Sequence, residues 1–106
     1  MHLQIVTFQL DGITPEEYAA HCEQAAPRFA EEPGLRSKVW LADPDTGTYG
    51  GVYLWQDRGW AERHAAGPLR AGLLANPHFT GVQVRDLGVL DAPTAITRWG
   101  FSHVPA

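Results

Sequence analysis

The segment from Ser37 to Trp55, SKVWLADPDTGTYGGVYLW, limits the possible folds more than any other part of the chain, because it reads as a hairpin that is apolar on both faces. Strand side chains alternate between faces. Arg36, Lys38 and Trp40 therefore share one side of the first arm, and Tyr49, Gly51, Tyr53 and Trp55 share one side of the second. Val39, Leu41, Val52 and Leu54 form the opposite side, and Leu3 and Ile5 of the opening segment extend it. A sheet with two apolar faces needs cover on both. Gly50 and Gly51 interrupt the second arm where a strand should be strongest. A strand glycine marks either close approach of a ligand or backbone, or a bulge.

The rest of the chain supplies one layer of that cover. Leu3 to Leu10 mixes β-branched and aromatic residues and ends at Asp11-Gly12, as a strand followed by a turn does. ITPEEY opens a helix, with Thr14 as N-cap, Pro15 at the first helical position, Glu17 closing a capping box and Ile13 placed to staple on Tyr18. Tyr18, Cys22, Ala25 and Phe29 recur at helical spacing as its buried stripe, and Pro27 predicts a kink or a restart. After the hairpin, Asp57 caps a short helix over RGWAERHAA. Gly67-Pro68 ends it, and a second short helix runs from Pro68 to about Ala75. HFTGVQVRDLGVL alternates as a last long strand, and DAPTAITRWGFSHVPA is a tail with some strand character.

The expected order is β-α-β-β-α-β plus a tail: an α+β, ferredoxin-like protomer with helices on one face of an antiparallel sheet. A second copy of the chain is the simplest cover for the other face. At 106 residues the chain is a single domain over residues 1–106, small enough for a partner to matter to its stability. A formal charge of −4 argues against a polyanionic partner such as nucleic acid. Cys22 is the only cysteine, so no intrachain disulfide forms, which suits the cytoplasm. The opening residues lack a basic n-region, and no stretch is apolar enough to span a membrane.

EPGLRSKVW, followed by a short turn and YGGVYLWQD, resembles the signature hairpin of the YdhR-type monooxygenase family, which belongs to the dimeric α+β barrel superfamily. The strand–helix opening and the closing DLGVLDAPTAITR extend the resemblance over most of the chain. The resemblance implies a homodimer in which two sheets face each other to form a barrel, with residues 92–106 as a C-terminal tail at the interface. The superfamily hosts cofactor-free oxygenases, haem-degrading enzymes, isomerases and proteins with no known reaction, so the fold alone does not fix the chemistry. Pro27 and the tryptophans Trp55, Trp60 and Trp99 depart from a plain version of the pattern.

If the aromatic side of the hairpin faces the helices, the side chain missing at Gly51 opens a space lined by Trp40, Tyr53 and Trp55. Such a space fits a flat organic molecule. The competing reading is that the glycines serve twist or a bulge and the aromatics are core. Lys38 is either a lysine snorkelling from a sheet edge or a cation that holds an enolate or phenolate. His64 follows Trp60 by four residues on one helix face, and His21 lies beside the buried stripe of the first helix. Either histidine can be a structural residue or a proton acceptor. The Trp60–His64 pair is compatible with the haem-degrading relatives, but spacing does not establish it.

The histidines are dispersed, His2, His78 and His103 included, and no metal or cofactor motif is present. Ser37 and Ser102 lack a nucleophile-elbow context, and Cys22 reads as a packing residue. The reaction expected from the resemblance is an oxidoreductase step: cofactor-independent monooxygenation, with O2, of a small phenolic or polycyclic aromatic substrate. Trp40, Gly51, Tyr53, Trp55 and Trp60 would bind the substrate, His64 or His21 would take a proton, and Lys38 or Tyr53 would hold the anion and the peroxide. A non-redox cyclase or isomerase, and a binding protein for a hydrophobic small molecule, are the alternatives.

Overall fold

In the computed structural model, which describes residues 1–97, the elements follow the order β1 (His2–Leu10), α1 (Pro15–Ala30), β2 (Leu35–Asp43), β3 (Thr48–Trp55), α2 (Arg58–Ala65), α3 (Pro68–Ala75), β4 (Phe79–Gly88) and α4 (Asp91–Thr97). The four strands form one antiparallel sheet in the order β2-β3-β1-β4. This is the ferredoxin-like βαββαβ arrangement, with one further short helix after β4. Trp99, Ser102 and His103 lie outside the described residues.

Local chemistry accounts for the element boundaries. The Glu17 backbone N–H donates to Thr14 Oγ1 at 3.0 Å and the Thr14 N–H donates to Glu17 Oε1 at 2.9 Å, a closed capping box that satisfies two donors the helix start leaves open. The Asp57 carboxylate caps α2 by accepting from the Trp60 N–H at 3.1 Å. Instead of restarting, α1 runs through Pro27 to Ala30. Pro27 lies one turn from the helix end, and both it and Glu23, whose carbonyl loses its donor, are exposed, so water can substitute. Asp91–Thr97, expected to have strand character, is helical. Asp91 supplies a carboxylate in the first turn and Pro93 falls where a missing N–H costs nothing.

Cross-strand register sorts the sheet into rows. Lys38, Tyr53, Gln4 and Asp86 form one row across all four strands, and Trp40, Gly51, Val6 and Val84 form the next. Both rows face the helices. The opposite face carries the row Ser37, Leu54, Leu3 and Leu87, then Val39, Val52, Ile5 and Arg85. Leu54 is buried yet stands apart from the core cluster, which lies on the helix side. A bulge between Leu35 and Ser37 breaks the expected alternation: Leu35 pairs with Trp55 and packs on the core, while Arg36 becomes the extra, exposed residue. Arg36 therefore does not share the side of Lys38.

Two aromatic groups fill the space between sheet and helices. Phe8, Tyr18, Tyr49 and Phe79 meet at centroid distances of 4.6–5.9 Å near the start of α1. Phe29, Trp40, Tyr53, Trp55 and His64 form the second group, nearer the end of α1. Such ring pairs add about 0.5–1.5 kcal/mol each beyond their buried area.

Candidate active site

A cavity of about 190 Å³ opens between the sheet, α1 and α3. Phe8, Gly50, Tyr53, Lys38 and Trp40 form the sheet side, Tyr18, His21, Cys22 and Phe29 come from α1, and Leu69, Gly72 and Leu73 come from α3. Of the basic side chains, Lys38, Arg28 and His21 line it, and among the described residues no Asp or Glu does. The chain has 12 acidic residues against 8 Lys and Arg, so this basic lining runs against the overall balance.

Lys38 is the centre of the site. Its Nζ lies 3.5 Å from the Phe29 ring centroid, 3.4 Å from that of Trp40 and 4.6 Å from that of Tyr53. A Cβ on Gly51 would stand 2.9 Å from Lys38 Cε, so the lysine stem lies over the glycine and occupies the room it provides. Burial pushes the Lys38 amine down to about 7, with the Arg70 charge acting in the same direction and Cys22 opposing it. The neighbouring hydroxyls are held protonated. Burial raises Tyr53 to about 12 against the Arg70 charge, and burial pushes Tyr18 far above the usual phenol range, reinforced by its hydrogen bond with Cys22. Burial also raises the Cys22 thiol, against the Tyr18 hydrogen bond and the Lys38 charge.

The expected site residues separate into two sets. Lys38, Trp40, Tyr53 and His21 line the cavity, with His21 exposed at its margin and its ring edge-on to Phe79 at 5.5 Å. Gly51, Trp55, Trp60 and His64 are not among the lining residues. Trp55 is fully enclosed and stacks on Tyr53. Trp60 packs over Gly34, where the glycine's missing Cβ and φ of +80° make room for the indole, and Arg63 covers its ring. His64 is 4% exposed, behind Tyr53 and Phe29, and its Nδ1–H donates to Glu32 in a short hydrogen bond. Burial holds its pKa below the usual histidine value, with Glu32 opposing. Of the two glycines, it is Gly50 that the backbone requires: its φ is +138° and a Cβ would meet the Val6 carbonyl oxygen at 1.9 Å.

A buried polar network behind the cavity was not anticipated. Gln4 Oε1 accepts from Trp55 Nε1 at 3.2 Å and from Arg70 Nη2 at 3.1 Å, while Gln4 Nε2 donates to Asp86 Oδ1 at 3.0 Å. His2 Nε2 donates to the same carboxylate oxygen at 2.9 Å, and that bond holds the Asp86 carboxyl below the usual carboxylate range. Two donors on one side and a carboxylate on the other leave Gln4 one amide orientation. The sequence did hold a signal. His2 and Gln4 share the phase of Val6 and Phe8 on β1, and a polar residue at an inward position needs a partner.

The sequence matches the family described as "Putative mono-oxygenase ydhR" over residues 3–99. The chain belongs to this family. Solved structures agree on the fold that the family shares. NE2512 from Nitrosomonas europaea, of unknown function, superposes with a TM-score of 0.73 at 18% identity, covering 99% of this chain and 94% of that one. SnoaB, a cofactor-independent oxygenase from Streptomyces nogalater, gives 0.66 at 21% identity over 84% and 92% of the two chains. The heme-degrader MhuD from Mycobacterium tuberculosis gives 0.69 at 20% over 85% and 96%. At these identities the likeness carries the fold and not the chemistry. No curated protein matches the chain.

Proposed function

We propose that the protein is a cofactor-independent monooxygenase that oxidises a small, single-ring phenol bound as its phenolate. The observation that carries this reading is the cavity itself: aromatic walls, a basic lining without a carboxylate among the described residues, and a caged amine at one wall. Its volume of about 190 Å³ is close to the ~150 Å³ that takes up benzene, and favours one ring over a polycycle. Membership of a family described as mono-oxygenase supports the reaction class. His64, which shares a helix face with Trp60, is sealed behind Tyr53 and tied to Glu32, and this argues against His64 as a haem ligand.

In this reading the neutral Lys38 amine takes the phenolic proton and, as an ammonium held over the Phe29 and Trp40 rings, stays beside the phenolate. The anion reduces O2, the oxygen adds to the ring as a peroxide, and loss of water leaves a quinone. One phenol and one O2 give one quinone and one water. Tyr53 and Tyr18, both held protonated, donate to the oxygens on which negative charge develops. His21, at the cavity margin, is placed to pass the proton to solvent.

The protein acts as a homodimer in the same reading, its two sheets packed face to face with residues 92–106 at the interface. Leu3, Ile5, Val39 and Val52 are only half-buried on the open face, and Leu87, Leu90 and Ile96 are exposed. Isolated protomers rarely leave such a surface to water.

Oxidation of phenol and methylphenols under ¹⁸O2 tests the function. One labelled oxygen in the quinone and one in water is the expected result, with turnover at least roughly tenfold lower in Lys38→Met. Turnover without O2 would favour the cyclase or isomerase, and binding without turnover the sequestering protein.

A further inference from the structure

Of the eight Lys and Arg residues in the chain, only residue 38 is a lysine. The one side chain able to act as a primary amine nucleophile is therefore the one placed at the cavity wall. Arginine would supply charge and ring stacking equally well, but cannot lose its proton. Among the described residues the Lys38 Nζ forms no hydrogen bond or ion pair with a carboxylate, the arrangement that would fix it as an ammonium. The groups that face it are Phe29 and the Cys22 thiol from α1, Trp40 from β2, Tyr53 from β3 and, at longer range, the Arg70 guanidinium from α3 and the His64 imidazole from α2. Desolvation among rings and a neighbouring cation are the two conditions that activate a lysine as a nucleophile.

We propose that Lys38 captures a small aromatic aldehyde or ketone in this cavity as a covalent imine. The amine lone pair forms a bond to the carbonyl carbon while the carbonyl π pair moves to oxygen. A proton passes from nitrogen to that oxygen, giving a carbinolamine. The nitrogen lone pair then expels hydroxide, which takes a proton from Tyr53 and leaves as water. The nitrogen loses its last proton to the phenolate of Tyr53, restoring the hydroxyl. One carbonyl compound and one amine give one imine and one water, with no change in oxidation state. The proposal stands apart from the oxygenase reading, since it needs neither O2 nor a phenol.

The test uses benzaldehyde with cyanoborohydride at pH 7 on the whole protein, followed by peptide mapping. Only two amines compete, Lys38 and the Met1 α-amino group, whose nitrogen lies 2.7 Å from Asp91 Oδ1. The expected result is a single benzyl group on Lys38, formed at least roughly tenfold faster in the folded protein than in urea, where an ordinary lysine is almost wholly protonated. A benzyl group on Met1 alone overturns the proposal, as does equal labelling of Lys38 in folded and unfolded protein. Lys38→Arg keeps the charge and is expected to lose the label. Because the mapping is done on the unaltered protein, the outcome does not depend on that variant folding.

Discussion

Lys38 lies across the space above Gly51, its Cε 2.9 Å from where a Cβ would stand, and the two residues sit on adjacent strands two register positions apart, on the same face. The glycine in the middle of β3 leaves room for a lysine stem, and the stem delivers the amine to Phe29, Trp40 and Tyr53. Without that room the amine would be pushed out of its three-ring cage. The two neighbouring glycines thus have separate roles, Gly51 through the side chain it admits and Gly50 through the backbone it allows.

Alanine substitution separates them. Gly51→Ala meets a flexible lysine end and, at 3.2 Å, the Val39 carbonyl, so a loss of about 1 kcal/mol is expected, with Lys38 displaced from its rings. Gly50→Ala puts a methyl group against the Val6 carbonyl at a φ of +138°, and a loss above about 3 kcal/mol is expected. Urea denaturation measures both. Gly50→Ala proving as stable as Gly51→Ala would contradict the assignment.

Lys38 makes stability depend on pH with a definite sign. Its folded pKa of about 7 is below the unfolded value of 10.5, so between these the unfolded chain binds more protons. The cost of burying the ammonium is present in full below about pH 7 and is relieved as pH rises towards 10.5. Cys22, raised by burial, contributes the opposite sign at the alkaline end, and Tyr53 does so higher still. The difference in melting temperature between the wild type and Lys38→Met isolates the lysine. It should narrow in favour of the wild type from pH 7 to 10, and a flat difference would refute the burial.

Gln4 ties together three side chains that are distant in sequence. Gln4→Leu leaves the Arg70 guanidinium and the Trp55 N–H without their acceptor, and a loss of about 2–4 kcal/mol is expected. Arg70→Met removes the charge together with its need for a partner and should cost less. Denaturation midpoints for the two variants decide the order, and the reverse order would show that Arg70 contributes more through packing than through Gln4.

The open face of the sheet predicts a dimer that a charge destroys. Leu3→Glu or Ile5→Glu places a carboxylate among Leu54, Val52 and Leu87, and sedimentation should change from a two-chain to a one-chain species. Truncation after residue 93 should weaken the dimer more than the protomer fold. A wild type that sediments at 11.6 kDa at micromolar concentration would end this reading.

Periods of 2 and 3.6 and the turn residues between them determined, from sequence, the element order as far as β4, the sharing of one strand face by Lys38 and Trp40 and of another by Gly51, Tyr53 and Trp55, and the caps at Thr14 and Asp57. All of these are local, so neighbouring residues carry the whole signal. The same patterns did not determine that these faces meet the helices or that Asp91–Thr97 is helical. The bulge at Arg36 escaped because it depends on the pairing of two strands rather than on one. Tertiary structure alone decided which residues meet at the cavity. His64 and Trp60 share a helix face in sequence, yet the packing of α2 puts His64 behind Tyr53 and Trp60 over Gly34. Gln4 reaches partners 66 and 82 residues away in Arg70 and Asp86, and no local pattern records contacts at that separation. The glycine at 51 was visible as a gap, but the direction of the Lys38 side chain determined what filled it. That direction follows from the rings of α1, β2 and β3 closing around one amine.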